Sequence, residues 1–318
     1  MNVSWLRKRK TLCFFATILI LASCQTSSNQ QQALSQISQE FFVDPNAVSL
    51  NERVLAQPAS ESYRFIVAGH IYGSHRPQDS HPAATILDNK DYFESLAPSM
   101  MILLGDIVPH ASQANYEVLE KQFLSQTTFP IFNAVGNHDV EERNIYEQRY
   151  GRTFFTFQYG SAQYLFLDTE QDGCKISGTQ KTFLEATINQ AVQDEQITQI
   201  FVFMHKVLFF DSNLFQRLNT NQSELPNDRW ACIFANNYNE LLEDIFWPAA
   251  QKKPIYLFAG DVGAWGGNLT PQIEKYQEAD LTTITTGIGD TPQDLILLIS
   301  VNPKNVKLQF IPLDDSRR

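Results

Sequence analysis

Pro130-Ile131-Phe132-Asn133-Ala134-Val135-Gly136-Asn137-His138-Asp139 says more about the architecture than any other stretch of the 318-residue chain. A run with the composition of a buried strand ends in a glycine, an amide, an imidazole and a carboxylate. It reads as a strand that delivers metal-ligand side chains at its C-terminal end. Four other turns follow apolar runs in the same way: Gly69-His70, Gly105-Asp106, His205 and Gly260-Asp261. Five strand ends of this kind imply one site assembled from distant parts of the chain.

Working outward, apolar, β-branched or aromatic runs occur at Arg64–Ala68, Met100–Leu104, Ala162–Leu167, Gln199–Met204 and Pro254–Ala259. Helix-period segments lie between them, at Ala84–Ala97, Gln113–Leu124, Val140–Tyr150, Thr179–Gln193 and Asn237–Phe246. Such alternation predicts a layered α/β domain with largely parallel strand order. Thr153–Gly160 with Ala162–Asp168, and Leu295–Val301 with Val306–Pro312, read as hairpins, so mixed sheets are expected. In open α/β sheets ligands bind beyond the strand C-terminal ends, where all five turns fall.

From about Tyr63 to the C-terminus, the order, spacing and type of these turns resemble the calcineurin-like metallophosphoesterase family. That resemblance implies a four-layer sandwich of two mixed β-sheets flanked by helices. It also implies a pair of divalent metals that clamp a phosphate ester and activate water. Gly105-Asp106 fits the bridging aspartate turn. In Gly136-Asn137-His138-Asp139, Asn137 would hold the second metal, His138 would protonate the leaving oxygen and Asp139 would orient the His138 imidazole. His205 fits an imidazole ligand of the second metal.

The first and last turns depart from the pattern. Where the family shows Gly-Asp-x-His-Gly, this chain has Gly69-His70-Ile71-Tyr72-Gly73; where it shows Gly-His-x-His, this chain has Gly260-Asp261-Val262-Gly263. In this register His70 and Asp261 exchange ligand types, while Tyr72 and Gly263 replace two histidines. A rival register puts Ala68 at the aspartate and keeps His70 as the histidine. The resemblance then implies one strong metal on Asp106, Asn137, His205 and Asp261, of a kind such as Mn, Zn or Fe. A weaker second would rest on Asp106 and His70, with Tyr72 as a metal or phosphate contact. His75 and His110 are nearby substitutes or ordinary surface histidines.

The N-terminal segment is read separately. Arg7-Lys8-Arg9-Lys10 precedes an apolar stretch, Thr11–Leu21, that is short for a membrane span. Leu21-Ala22-Ser23-Cys24 resembles the bacterial lipoprotein cleavage box. Residues 1–23 are thus expected to be a signal peptide, 24–40 a flexible Gln/Ser-rich tether, and 41–318 one phosphoesterase domain. Lipidation of Cys24 would anchor the protein in the bacterial cell envelope, on its extracytoplasmic face. Losing residues 1–23, with four basic and no acidic residues, moves the formal charge from −11 to −15. So acidic a body excludes nucleic acid and anionic head groups as electrostatic partners. Cys174 and Cys232 remain, and an oxidising compartment makes a disulfide between them the expectation.

Taken together, the sequence predicts a monomeric, envelope-tethered, metal-dependent hydrolase of a small phosphomonoester or phosphodiester. The alternatives are a non-catalytic relative that binds a phosphorylated or anionic envelope ligand, and a structural lipoprotein with a vestigial site.

Overall fold

A computed structural model describes residues 37, 39–74, 80–173, 175–208, 237–262, 271–276 and 278–318. The expectations for Cys24, His75, Cys174, Cys232 and Gly263, for the signal peptide and for most of the tether lie outside them. Among the described residues, no helix is long and apolar enough to cross a membrane.

Eleven strands form two mixed sheets among those residues. The first has five strands in the order β11 (Asn305–Pro312), β10 (Leu295–Asn302), β1 (Tyr63–Ala68), β2 (Met100–Leu103) and β3 (Ile131–Asn133). The second has six: β4 (Phe155–Tyr159), β5 (Ala162–Phe166), β6 (Gln199–Met204), β7 (Ile255–Ala259), β9 (Leu281–Thr285) and β8 (Gln272–Lys275). Parallel pairing joins β1 to β2, β2 to β3, and β5 through β6 and β7 to β9. The two expected hairpins supply antiparallel edges, β4 on β5 and β11 on β10.

Side-chain alternation explains why the sheets stack. Phe65 and Val67 of β1 face Phe201 and Phe203 of β6 in a buried aromatic layer between the sheets. Ile66 and Ala68 point the other way, to a core shared with α1 (Ala84–Leu87), α2 (Lys90–Ser95), α3 (Gln113–Gln122) and α4 (Arg143–Tyr150). Ile200, Val202 and Met204 likewise face α5 (Gly178–Gln193) and the helical stretch built from α6 (Tyr238–Leu241), a π-turn (Leu242–Phe246) and α7 (Trp247–Ala250). The result is helix, sheet, sheet, helix, the four-layer arrangement expected from the sequence.

Three details differ from expectation. The helix predicted over Ala84–Ala97 is two short helices, because the Asn89 side chain bonds the Thr85 and Leu313 carbonyls and the chain turns there. The helix predicted from Val140 begins only at Arg143. β8 and β9 were not foreseen: Gln272-Ile273-Glu274-Lys275 is a polar, partly exposed edge, and Leu281-Thr282-Thr283-Ile284-Thr285 is fully buried in the sheet, yet too rich in threonine to stand out as an apolar run.

Candidate metal centre

The strand ends meet so closely that glycine is required at the crossings. A Cβ on Gly69 would lie 2.5 Å from the Gly260 Cα, and one on Gly260 would lie 2.1 Å from the Leu104 carbonyl oxygen. A Cβ on Gly136 would lie 2.3 Å from the Asp106 Oδ1. The glycines that precede the ligand residues thus bring turns of both sheets to backbone contact. Hydrogen bonds lock the crossing: His70 N to the Gly105 carbonyl at 2.9 Å, and Gly260 N to the His205 carbonyl at 2.9 Å. His70 and Asp106 are held at φ 56° and 54°, uncommon for non-glycine residues and typical of strained functional turns.

Asp106, His205 and Asp261 are buried and each offers a ligand atom within 4.8 Å of the other two. His205 sets the geometry. Its Nδ1 donates to the Leu104 carbonyl at 2.7 Å, which fixes the ring and turns Nε2 into the site. Nε2 is fully buried and has no hydrogen-bond partner among the described residues. Asp106 Oδ1 and Asp261 Oδ1 stand 3.4 and 3.7 Å from it. Ligand atoms about 2.0–2.2 Å from one tetrahedral ion are roughly 3.3–3.6 Å apart, so this trio fits a single divalent metal. The electrostatics agree. Burial opposes charge on His205, but Asp106 and Asp261 raise its pKa to about 9, so the pocket already selects a cation. Burial likewise opposes ionisation of Asp106, yet His205 and His70 hold it well below the usual carboxylate range.

His70 lies on the far side of Asp106, with Nε2 3.5 Å from Oδ2 and Nδ1 buried without a partner among the described residues. Burial lowers its pKa, which keeps the ring neutral. Tyr72 packs on it with ring centroids 4.2 Å apart. Burial, then the charges of Asp106 and Asp261, push the Tyr72 phenol above its ordinary range. Asp106 and His70 alone make a poor second metal site.

The Gly-Asn-His-Asp turn differs from its expected roles in two respects. Asp139 is fully buried and accepts from the backbone N–H groups of Asp106, Ile107 and Gly136 at 2.9, 2.8 and 2.9 Å. It braces the Asp106 turn, and is not the group that orients His138. Burial and the Asp106 charge push its pKa up to about 6. The His138 ring is held instead by Nδ1 donating to the Pro109 carbonyl at 2.7 Å, with Glu141 Oε1 3.6 Å away. His138 is tied to the centre through its N–H, which donates to Asp106 Oδ1 at 3.1 Å. His110, His138 and Glu141 form a second, largely exposed group at the rim with ligand atoms within 4.8 Å of one another.

The other departure is at Asn137. Its Oδ1 accepts a 2.6 Å hydrogen bond from Lys206 Nζ, which also donates to Asp261 Oδ2 at 2.7 Å. Lys206 was not foreseen from the sequence. Its side chain is only 3% exposed, a rare burial for lysine and tolerable because it is paired. Burial opposes the ammonium, but Asp261, Glu170 and Asp106 together keep it above the ordinary lysine range. Asp168 supports the same corner. It is fully buried, ion-paired to Arg143 Nη1 at 2.5 Å, and clamped by Gln180 at its N–H and carbonyl. The neighbouring Thr169 Oγ1 accepts from Lys206 N at 3.2 Å.

No family model and no curated protein sequence matches the chain. Solved structures do. A purple acid phosphatase from yellow lupin seeds superposes with a TM-score of 0.54 at 13% identity, over 82% of this chain and 53% of the plant enzyme. The chain therefore spans about half the length of that enzyme. A phosphopantetheinyl hydrolase from Mycobacterium tuberculosis aligns over 71% of this chain and 89% of its own, at 11% identity and a TM-score of 0.37. With its two mixed sheets flanked by helices, the chain has the metallo-dependent phosphatase fold.

Proposed function

We propose that the chain is a phosphoesterase that uses one divalent metal, held by Asp106, His205 and Asp261. The observation that carries this reading is the buried His205 Nε2, without a hydrogen-bond partner among the described residues and aimed between two carboxylates by its Leu104 bond. A bound ion would supply a Lewis acid and lower the pKa of water for attack on phosphorus. The chain's own residues would do the rest. Asp139 fixes the Asp106 turn so that its carboxylate is preorganised. Lys206 contributes positive charge opposite an anionic phosphoryl group. His138, with Nδ1–H engaged by Pro109, would pass a proton from Nε2 to the leaving oxygen when the ring is an imidazolium.

The experiment is a metal count on purified protein with turnover of p-nitrophenyl phosphate and bis-p-nitrophenyl phosphate, in wild type and His205→Ala. Bound metal and turnover that disappear together in the variant support the enzyme. Metal without turnover of either ester turns the reading to the runner-up, a non-catalytic protein that binds a phosphorylated or anionic ligand. That alternative is favoured by one observation, the pairing of Asn137 and Asp261 Oδ2 with Lys206, which closes part of the centre. Absence of metal at any pH defeats the metalloenzyme.

We also propose an envelope location through lipidated Cys24, on the sequence features of residues 1–24. Cys24→Ser is expected to lose the acyl chains by mass spectrometry and to leave the membrane fraction. Retention there would overturn the anchor.

A further inference from the structure

We propose that the Lys206 ammonium is a cation built into the site: it occupies the position between Asn137 and Asp261 where an ion would otherwise sit, so the centre takes a single metal by construction. This rests on the one-metal reading above and deepens it.

The Asn137 Oδ1, with Asp261 Oδ2 beside it, is an oxygen that a further divalent ion could take beyond the one on Asp106, His205 and Asp261. In this chain that oxygen is 2.6 Å from Lys206 Nζ. The same ammonium is 2.7 Å from Asp261 Oδ2, while Asp261 Oδ1 faces His205. Asp261 is therefore divided, one oxygen for the metal trio and one for the lysine. An ammonium and a divalent ion repel strongly at such separations inside a protein, so both cannot share Asn137. Lys206 is buried and fixed from both ends, its N–H on Thr169 and its ammonium on Asn137 and Asp261. It cannot leave for solvent as a surface lysine would.

The opposite side of Asp106 offers no better seat for a second ion, since His70 and Tyr72 add no carboxylate. The exchange of His70 with Asp261 takes on a physical sense here. An aspartate at 261 has a second oxygen with which to hold an ammonium, and a histidine has none.

The test uses the full chain with Mn²⁺ as probe. Wild type, Lys206→Gln and Lys206→Ala are equilibrated with Mn²⁺, and bound metal per chain is counted by mass spectrometry. The thermal midpoint is followed on titration. The variants are expected to bind one ion more than wild type and to gain a larger Mn²⁺-dependent rise in midpoint. Equal counts in wild type and folded variants overturn the proposal while leaving the one-metal reading intact. No ion in wild type but one in the variants has the opposite effect: it removes the one-metal reading and supports the role of Lys206. Should neither variant fold, electron paramagnetic resonance of Mn²⁺-saturated wild type decides. An uncoupled spectrum at one ion per chain supports the built-in cation, and a spin-coupled pair overturns it.

Discussion

On one side of the Asp106 carboxylate stand His205, Asp261 and Lys206; on the other stand His70, Tyr72 and His138. The first side is dense in charge. Imidazole, carboxylate and ammonium lie within 4 Å of their neighbours, and each is held by backbone or side-chain partners. The second side is made of rings. His70 and Tyr72 pack at a tilt with centroids 4.2 Å apart, and Tyr72 meets the His138 ring edge-on at 5.1 Å. A pair of metals needs ligands on both sides of the bridging carboxylate. The candidate ligands of this chain gather on one, where Lys206 also stands.

The strongest way to break this contrast is at the shared residue. Asp106→Asn removes a charge that both His205 and Lys206 face and leaves Asp261 as the chief carboxylate opposite them. Breaking a buried ion pair costs about 3–5 kcal/mol. Chemical denaturation should show a loss of that size, together with loss of bound metal. A variant of near wild-type stability would mean that the charged side is not electrostatically coupled through Asp106.

Next come the two histidines, whose burial is equal but whose roles are argued to differ. His205→Ala should weaken Mn²⁺ or Zn²⁺ binding by more than about 100-fold, beyond the range seen on loss of a supporting partner. His70→Ala should change it by less than about tenfold. Calorimetric titration of both variants reads this directly. Equal losses would show that the ring-lined side also holds an ion.

How much of this was legible in the sequence depends on which side is considered. Each of Asp106, Asn137, His205 and Asp261 follows an apolar run, so strand periodicity and one polar identity were enough to find them. Nine of the eleven strands, both hairpins among them, were legible for the same reason, and β8 and β9 were not. Lys206 was not, because a lysine after a strand is ordinarily solvated. Only the three-dimensional approach of Asn137 and Asp261, remote from it in sequence, shows that it is buried. Asp139 was found but given the wrong partner. The sequence places it beside His138, whereas the turn carries its carboxylate back to the amides of residues 106 and 107. Glycine positions were read as turns and proved to be contact points between turns, a distinction that no local pattern holds.

Asp139→Asn sharpens the distinction between ligand and brace. The amide replaces one acceptor oxygen with a donor that faces backbone N–H groups, an uncompensated loss of about 1–3 kcal/mol. The midpoint of denaturation should fall accordingly while the metal count stays unchanged. A lost metal at unchanged stability would make Asp139 part of the centre itself.

The smallest effect is expected where a charge pair lies outside the cleft. Arg149 reaches Glu120 with Nε on Oε1 at 2.5 Å and Nη2 on Oε2 at 2.8 Å, a two-pronged contact between partly exposed side chains. The hydrogen bond from Arg149 is the main cause that lowers the Glu120 pKa. A lowered carboxylate stabilises the fold above its ordinary value of 4.5, and that contribution is lost as pH falls through the folded-state pKa. Solvent screens this pair, so Arg149→Met should cost less than about 1 kcal/mol near neutral pH. The difference from wild type should shrink further once the solution is acidic enough to protonate Glu120. Denaturation curves of both proteins at neutral and acid pH measure it. If Arg149→Met proved as damaging as Asp106→Asn, the special weight given to the buried charges of the cleft would be misplaced, since an exposed pair of better geometry would then do as much.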